Sequence, residues 1–222
     1  MNYKRVTVFA GHYGSGKTNV AVNYALALKA FERNVSIADL DIVNPYFRTK
    51  DSADVLEKGG IRLISSAYAG SNIDIPALPP EIYSVVRDKS FHAVMDVGGD
   101  DRGATALGRY VPYLLAENDF EMLFVVNMYR PLTADPKSAF DNMREIEAAC
   151  GARFTSVVNN SNLGAETTAE DVLASVPYAE KISALSGIPI KMNAVRKDIA
   201  AELGGKIENI FPISLHVYGF MN

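Results

Sequence analysis

One cysteine, Cys150, is all that 222 residues contain, so no internal disulfide can form and a reducing cytoplasm is the expected home. No apolar run approaches the length needed to cross a bilayer, and the chain opens without the charged, apolar and small-residue pattern of an export signal. Excess positive charge is missing as well: 22 Lys and Arg stand against 26 Asp and Glu, a formal net charge of −4. That balance argues against nucleic acid or an anionic membrane as a partner. Repeats, low-complexity tracts and linkers rich in Gly, Pro or Ser are also absent, so nothing divides the chain and we expect a single domain over residues 1–222.

What is present is an alternation of two periodicities. Strands are expected at 6–10, 35–40, 61–65, 92–97, 121–127, 155–159 and 188–192, and helices at 17–31, 80–87, 104–116, 136–149, 168–185 and 195–203. Several strands, such as MLFVV at 122–126, are apolar at every position, as parallel strands covered on both faces must be. The expected fold is α/β: a single doubly wound, mostly parallel sheet with helices on both faces. The longest irregular stretch is AYAGSNIDIPALPP at 67–80. Loops of that length in a compact domain tend to be functional.

The stretch GHYGSGKT at 11–18 fits G-x-x-x-x-G-K-[ST], with an apolar strand before it and an amphipathic helix after it. A polyphosphate needs inward-facing backbone N–H groups and the positive end of a helix, and Gly11, Gly14 and Gly16 permit the backbone angles and close approach involved. Gly11, Tyr13, Gly14, Ser15, Gly16, Lys17, Thr18 and Asn19 are therefore the candidate nucleotide contacts. Lys17 would neutralise the β and γ phosphates, and the Thr18 hydroxyl would bind Mg²⁺. This defines the expected fold as a P-loop NTPase.

Three further segments fit phosphate chemistry. In SIADLDIVNPYF, Asp39 and Asp41 lie two apart at the end of a strand, suited to holding a metal through water and to orienting an attacking water. HAVMDVGGDDRG ends a strand in Asp96, a candidate Mg²⁺ carboxylate, and Gly99 could bring a backbone N–H to a γ-phosphate. TSVVNNSNLG ends another in Asn159 and Asn160, and an asparagine amide can pair with adenine; a turn or capping role is the alternative. We take Asn159 as the base contact. No N-K-x-D guanine reader is present, which favours ATP over GTP.

With loop, aspartate pair and DVGGD in this order, the chain resembles the MinD/ParA-type P-loop ATPases, the class of the nitrogenase iron protein and the arsenite-pump ATPase. The resemblance implies ATP and Mg²⁺ as ligands and a hydrolytic cycle acting on a protein client, with metalloenzyme assembly or activation among the family's roles. It makes Lys17 and Asp41 the catalytic pair and Thr18, Asp39 and Asp96 the metal residues. The family's signature lysine, which crosses an ATP-bridged dimer, falls at His12, so a homodimer is open but the ATP-sandwich form is not implied. Where relatives carry cluster-binding cysteines this chain has Gly103, and its ending, NIFPISLHVYGFMN, lacks the basic amphipathic helix of the membrane-positioning members. Two other readings stay open: a small-molecule kinase or ligase using Arg48, Arg102 or Arg109, and a nucleotide-dependent switch with negligible turnover.

Overall fold

In the computed structural model the described residues are 3–32, 34–41, 52–65 and 81–216. The 67–80 loop and Arg48 lie outside them. Element order is β1 (Val6–Ala10), α1 (Lys17–Lys29), β2 (Val35–Asp39), α2 (Ala53–Lys58), β3 (Arg62–Ile64), α3 (Ile82–Arg87), β4 (His92–Asp96), α4 (Asp101–Gly108) and α5 (Val111–Glu117). There follow β5 (Phe120–Val126), α6 (Pro136–Cys150), β6 (Ser156–Asn159), α7 (Ala169–Ser186), β7 (Ile190–Arg196), α8 (Lys197–Ala200) and β8 (Ile210–Ile213).

Among the described residues these strands form one sheet of 8 strands in the order β3-β2-β4-β1-β5-β6-β7-β8, and every neighbouring pair is parallel. Strand side chains alternate between faces. Val6, Val8 and Ala10 of β1 join Met122, Phe124 and Val126 of β5 beneath α3 to α7, whereas Phe9, Leu123 and Val125 join α1 and Leu56 of α2 on the opposite face. Both faces are thus covered, which is why the strands read as continuous apolar runs. The chain fills one side of β1, returns to place β4 beside it and then builds the other side, so the loop leaving β1 sits at the topological switch point where ligands of such sheets bind.

Three expectations are corrected. The helix expected over 104–116 is two helices: Pro112, in the first turn of α5, cannot donate to the preceding turn, and the chain restarts at Val111. β7 runs on to Arg196, so Val195 and Arg196, expected in a helix, belong to the sheet, where Ala194 and Val195 are buried. β8 was not expected, because Pro212 lies inside it; among the described residues it is an edge strand, paired only with β7, where a missing N–H can face outward.

Candidate functional site

The loop between β1 and α1 is held from within. The carbonyl of His12 accepts from the N–H of Ser15 at 3.2 Å and from Nζ of Lys17 at 3.3 Å. Gly16, the N-cap of α1, has φ 81° and ψ 22°, a left-handed conformation that glycine adopts without steric penalty. Gly16 gives α1 no side-chain cap and no acidic residue sits in its first turn, so the positive end of the helix suits an external anion.

Lys17 is only 7% exposed. Burial pulls its pKa below the ordinary lysine value, an effect opposed by the negative charges of Asp96, Asp41 and Asp100. An ammonium in that position is poised for a multivalent anion. Asp39 and Asp96 close adjacent strands in register and are both buried. Oδ1 of Asp39 accepts from the N–H of Asp41 at 2.9 Å, which turns the chain so that Asp41 leaves the strand line and sits half-buried against Gly98. A Cβ on Gly98 would lie 3.2 Å from Oδ1 of Asp41. The two acidic loops therefore meet beside the lysine.

Gly99 is where this segment presses closest on Tyr13 and Lys17. A Cβ there would stand 2.5 Å from the Tyr13 nitrogen and 2.8 Å from Nζ of Lys17, so only glycine lets this segment rest on the loop. Asp100 caps α4 by accepting from Gly103 N–H at 2.9 Å. Gly103 in turn packs on the Gly98 backbone, and a cysteine at that position would strike the Gly98 carbonyl. The segment after β4 is thus tied at one end to the loop and at the other to a helix.

The two asparagines part company. Asn159 gives both amide hydrogens away inside the protein, to Ser175 Oγ at 2.9 Å and Asn193 Oδ1 at 3.0 Å, and its Oδ1 accepts from Ser161 N–H. That arrangement leaves no donor for a base, so the structure does not place Asn159 as the expected adenine contact. Asn160 instead donates from Nδ2 to the Ser15 carbonyl at 2.7 Å and touches Gly16. Its Oδ1, like Ser15 Oγ, is buried with no hydrogen-bond partner among the described residues. Buried oxygens without donors are rare and mark a place where something else donates.

Asn19 and Asn23, one turn apart on α1, hold the backbone that follows β8. Asn19 Oδ1 accepts from His216 N–H at 2.9 Å, and Asn23 exchanges two bonds of 2.8 Å with Ser214. Tyr13, at 52% exposure, forms the outer rim, and Gly11 passes against the Val125 carbonyl. The His12 ring bonds locally to the Tyr13 carbonyl at 2.9 Å. Arg102 is exposed on α4, and Arg109 is exposed just past its end. The arginine bonded to the loop is one that sequence reasoning did not single out: Arg130 donates from Nε to the Gly14 carbonyl at 2.9 Å. Its signal was an arginine just past the carboxyl end of a strand that borders β1.

Among the described residues no three His, Cys, Asp or Glu side chains form a metal site by themselves. Mg²⁺ commonly takes one or two carboxylates and completes its shell with water and substrate phosphates, and Thr18, Asp39 and Asp96 fit that pattern. No helix of the described residues is long and apolar enough to span a membrane.

A parallel sheet whose central strand leads through a glycine loop into a helix opening on a buried lysine, faced by strand-end aspartates, is a P-loop NTPase-like α/β fold, and such folds bind nucleotides. Among solved structures, the chain is similar to the signal recognition particle receptor FtsY of Elizabethkingia anophelis in complex with GDP, with TM-score 0.57 and 18% identity over 88% of this chain and 58% of that one. FtsY of Thermotoga maritima gives TM-score 0.57 and 18% identity over 86% and 61%. The 54 kDa signal recognition particle protein of Aeropyrum pernix, also with GDP, gives 0.56 and 12% over 86% and 41%. The chain spans about three fifths of the FtsY chains, and at these identities the likeness concerns the fold. No protein-family model and no curated protein sequence matches.

Proposed function

We propose that this chain is a Mg²⁺-dependent ATP-binding protein and ATPase of the MinD/ParA type, whose nucleotide cycle moves the segment after β4 and so switches its affinity for a protein client. The observation that carries this reading is the contact of Gly99 with both Tyr13 and Lys17. A phosphate beside Lys17 and the Gly99 backbone compete for one space, so triphosphate and diphosphate would favour different positions of the segment.

In this reading the loop N–H groups and Lys17 bind the β and γ phosphates, and Thr18 with Asp39 and Asp96 holds the metal. Asp41, half-buried against Gly98, orients the attacking water. Mg²⁺ supplies charge neutralisation on the phosphate oxygens. ATP is preferred to GTP because the buried Oδ1 of Asn160, fixed by its Nδ2 bond and without a donor among the described residues, is an acceptor; it suits the amino group at C6 of adenine and repels the carbonyl of guanine.

Calorimetry with ATP, ADP and GTP in Mg²⁺ tests the reading. Wild type should bind ATP, and Lys17→Ala should lose at least about 100-fold in affinity, the order expected when a buried charge-assisted contact is removed. Equal ATP affinity in the two proteins, or no binding by wild type, would refute it.

A further inference from the structure

Resting on the reading of the loop as a triphosphate site, we propose that Arg130 is a phosphate-contacting cation, built into the same chain, that senses the γ-phosphate and offsets charge as it is transferred. Four observations converge. Its Nε is fixed on the Gly14 carbonyl at 2.9 Å, and its stem lies within van der Waals reach of Gly14, where a Cβ would stand 3.6 Å from both Cδ and Nε. The fork is then aimed by one nitrogen, with its two terminal nitrogens left to bind an oxyanion bidentately.

The platform beneath it is rigid. Asn127 accepts through Oδ1 from Tyr129 N–H and through its carbonyl from Arg130 N–H and Thr133 Oγ1, while the Tyr129 hydroxyl donates to the Asp171 carbonyl. Five hydrogen bonds thus hold a turn of seven residues, 127–133, once the Thr133 N–H bond to the Arg130 carbonyl is included. No carboxylate pairs with Arg130 among the described residues, whereas Arg5, Arg144, Arg153 and Arg196 each hold one. Held in place by Gly14 and with no carboxylate partner among the described residues, Arg130 is free to meet an anion.

Charge balance points the same way. Lys17 and a divalent cation carry three positive charges, which the carboxylates of Asp39, Asp41 and Asp96 already match, so the polyphosphate itself is left uncompensated. His12, with its ring turned to the Tyr13 carbonyl, supplies no permanent charge. When the γ-phosphoryl group passes to water, a new P–O bond forms to the water oxygen and the bond to the β-phosphate breaks. Its electron pair stays on the terminal oxygen of ADP, and both protons of the water leave with inorganic phosphate as H2PO4−. Arg130, bonded to the loop through the Gly14 carbonyl, is a cation of this same chain placed to meet that accumulating charge.

The test compares Mg²⁺ complexes of ADP and of a non-hydrolysable ATP analogue in wild type, Arg130→Ala and Arg130→Lys, each checked for an unchanged thermal transition. Arg130→Ala is expected to weaken the analogue about 10-fold or more while changing ADP less than about 3-fold, and to slow phosphate release about 100-fold or more. Arg130→Lys, which keeps the charge but loses the fork, should fall between. If both variants lose the two nucleotides equally, or lose neither, Arg130 is a prop for the Gly14 carbonyl and the proposal fails. Failure of wild type to bind any nucleotide would instead refute the site reading itself.

Discussion

The two ends of the parallel sheet treat buried polar groups in opposite ways. At the amino end the buried charged groups among the described residues are closed on partners. Arg5 is forked onto Glu117 and also donates to the Val85 carbonyl; Glu121 holds Lys191, Tyr24 and Thr7; Glu147 takes Arg144, Arg153 and the Phe154 N–H. At the carboxyl end, Lys17 lies buried with its pKa pulled down by desolvation, Gly16 gives the helix above it no side-chain cap, and the side-chain oxygens of Ser15 and Asn160 accept nothing from the described residues. Charges that are satisfied internally serve the fold. Those kept short of partners at a switch point are arranged for a ligand.

If that contrast is right, the largest stability loss belongs to the amino end. Glu117→Ala strands a buried guanidinium and should cost about 3–5 kcal/mol, read from urea unfolding, while leaving ATP affinity of the folded protein unchanged. A smaller loss accompanied by weaker ATP binding would break the division between the ends. Gly99→Ala comes next. Its new methyl would meet the Tyr13 backbone at 2.5 Å, for about 1–3 kcal/mol of overpacking, and unlike Glu117→Ala it should also alter nucleotide affinity, because the segment it displaces rests on Lys17.

The neighbouring asparagines sharpen the contrast within one turn of chain. Asn159→Ala leaves the Ser161 N–H and Asn193 Oδ1 without partners and should destabilise by about 1–3 kcal/mol with no change in base preference. Asn160→Ala removes one bond to the Ser15 carbonyl, for about 1 kcal/mol, and should lower the ATP to GTP affinity ratio by about 10-fold in competition binding. The opposite pattern would return the base-reading role to Asn159.

Much of this was legible beforehand because it rests on local chemistry. The loop announces itself through Gly11, Gly16, Lys17 and Thr18, and the all-apolar strands through burial on both faces. What was not legible depends on which loops meet. Nothing in NMYRP tells that Arg130 lies across Gly14, because 116 positions separate the two. VVNN does not reveal which asparagine turns toward the loop: adjacent residues of a strand end face opposite ways, so a slip of one exchanges their roles. Pro212 hid β8 because a proline argues against a strand unless the strand is known to be an edge.

The smallest effect should come from Glu147, where burial would raise the carboxyl pKa but hydrogen bonds from Arg144, the Phe154 N–H and Arg153 hold it below the ordinary glutamate value. A depressed carboxylate stabilises the fold at pH values above its unfolded pKa and loses that contribution as pH falls through the folded one. Both arginines are partly exposed, at 43% and 75% of their side chains, so screening limits each pair. Glu147→Gln keeps an oxygen for the Phe154 N–H and forfeits only the charge, so it should cost roughly 0.5–1 kcal/mol at pH 7. The gap between wild type and variant should close at acid pH once the lowered Glu147 carboxyl has taken up its proton, where both side chains are neutral. Denaturant unfolding of the two proteins at both pH values measures it, with other titrating groups cancelling in the difference. A gap that persists at low pH would mean that Glu147 acts through shape and packing rather than charge, and that the amino end is held together less by ion pairs than its geometry indicates.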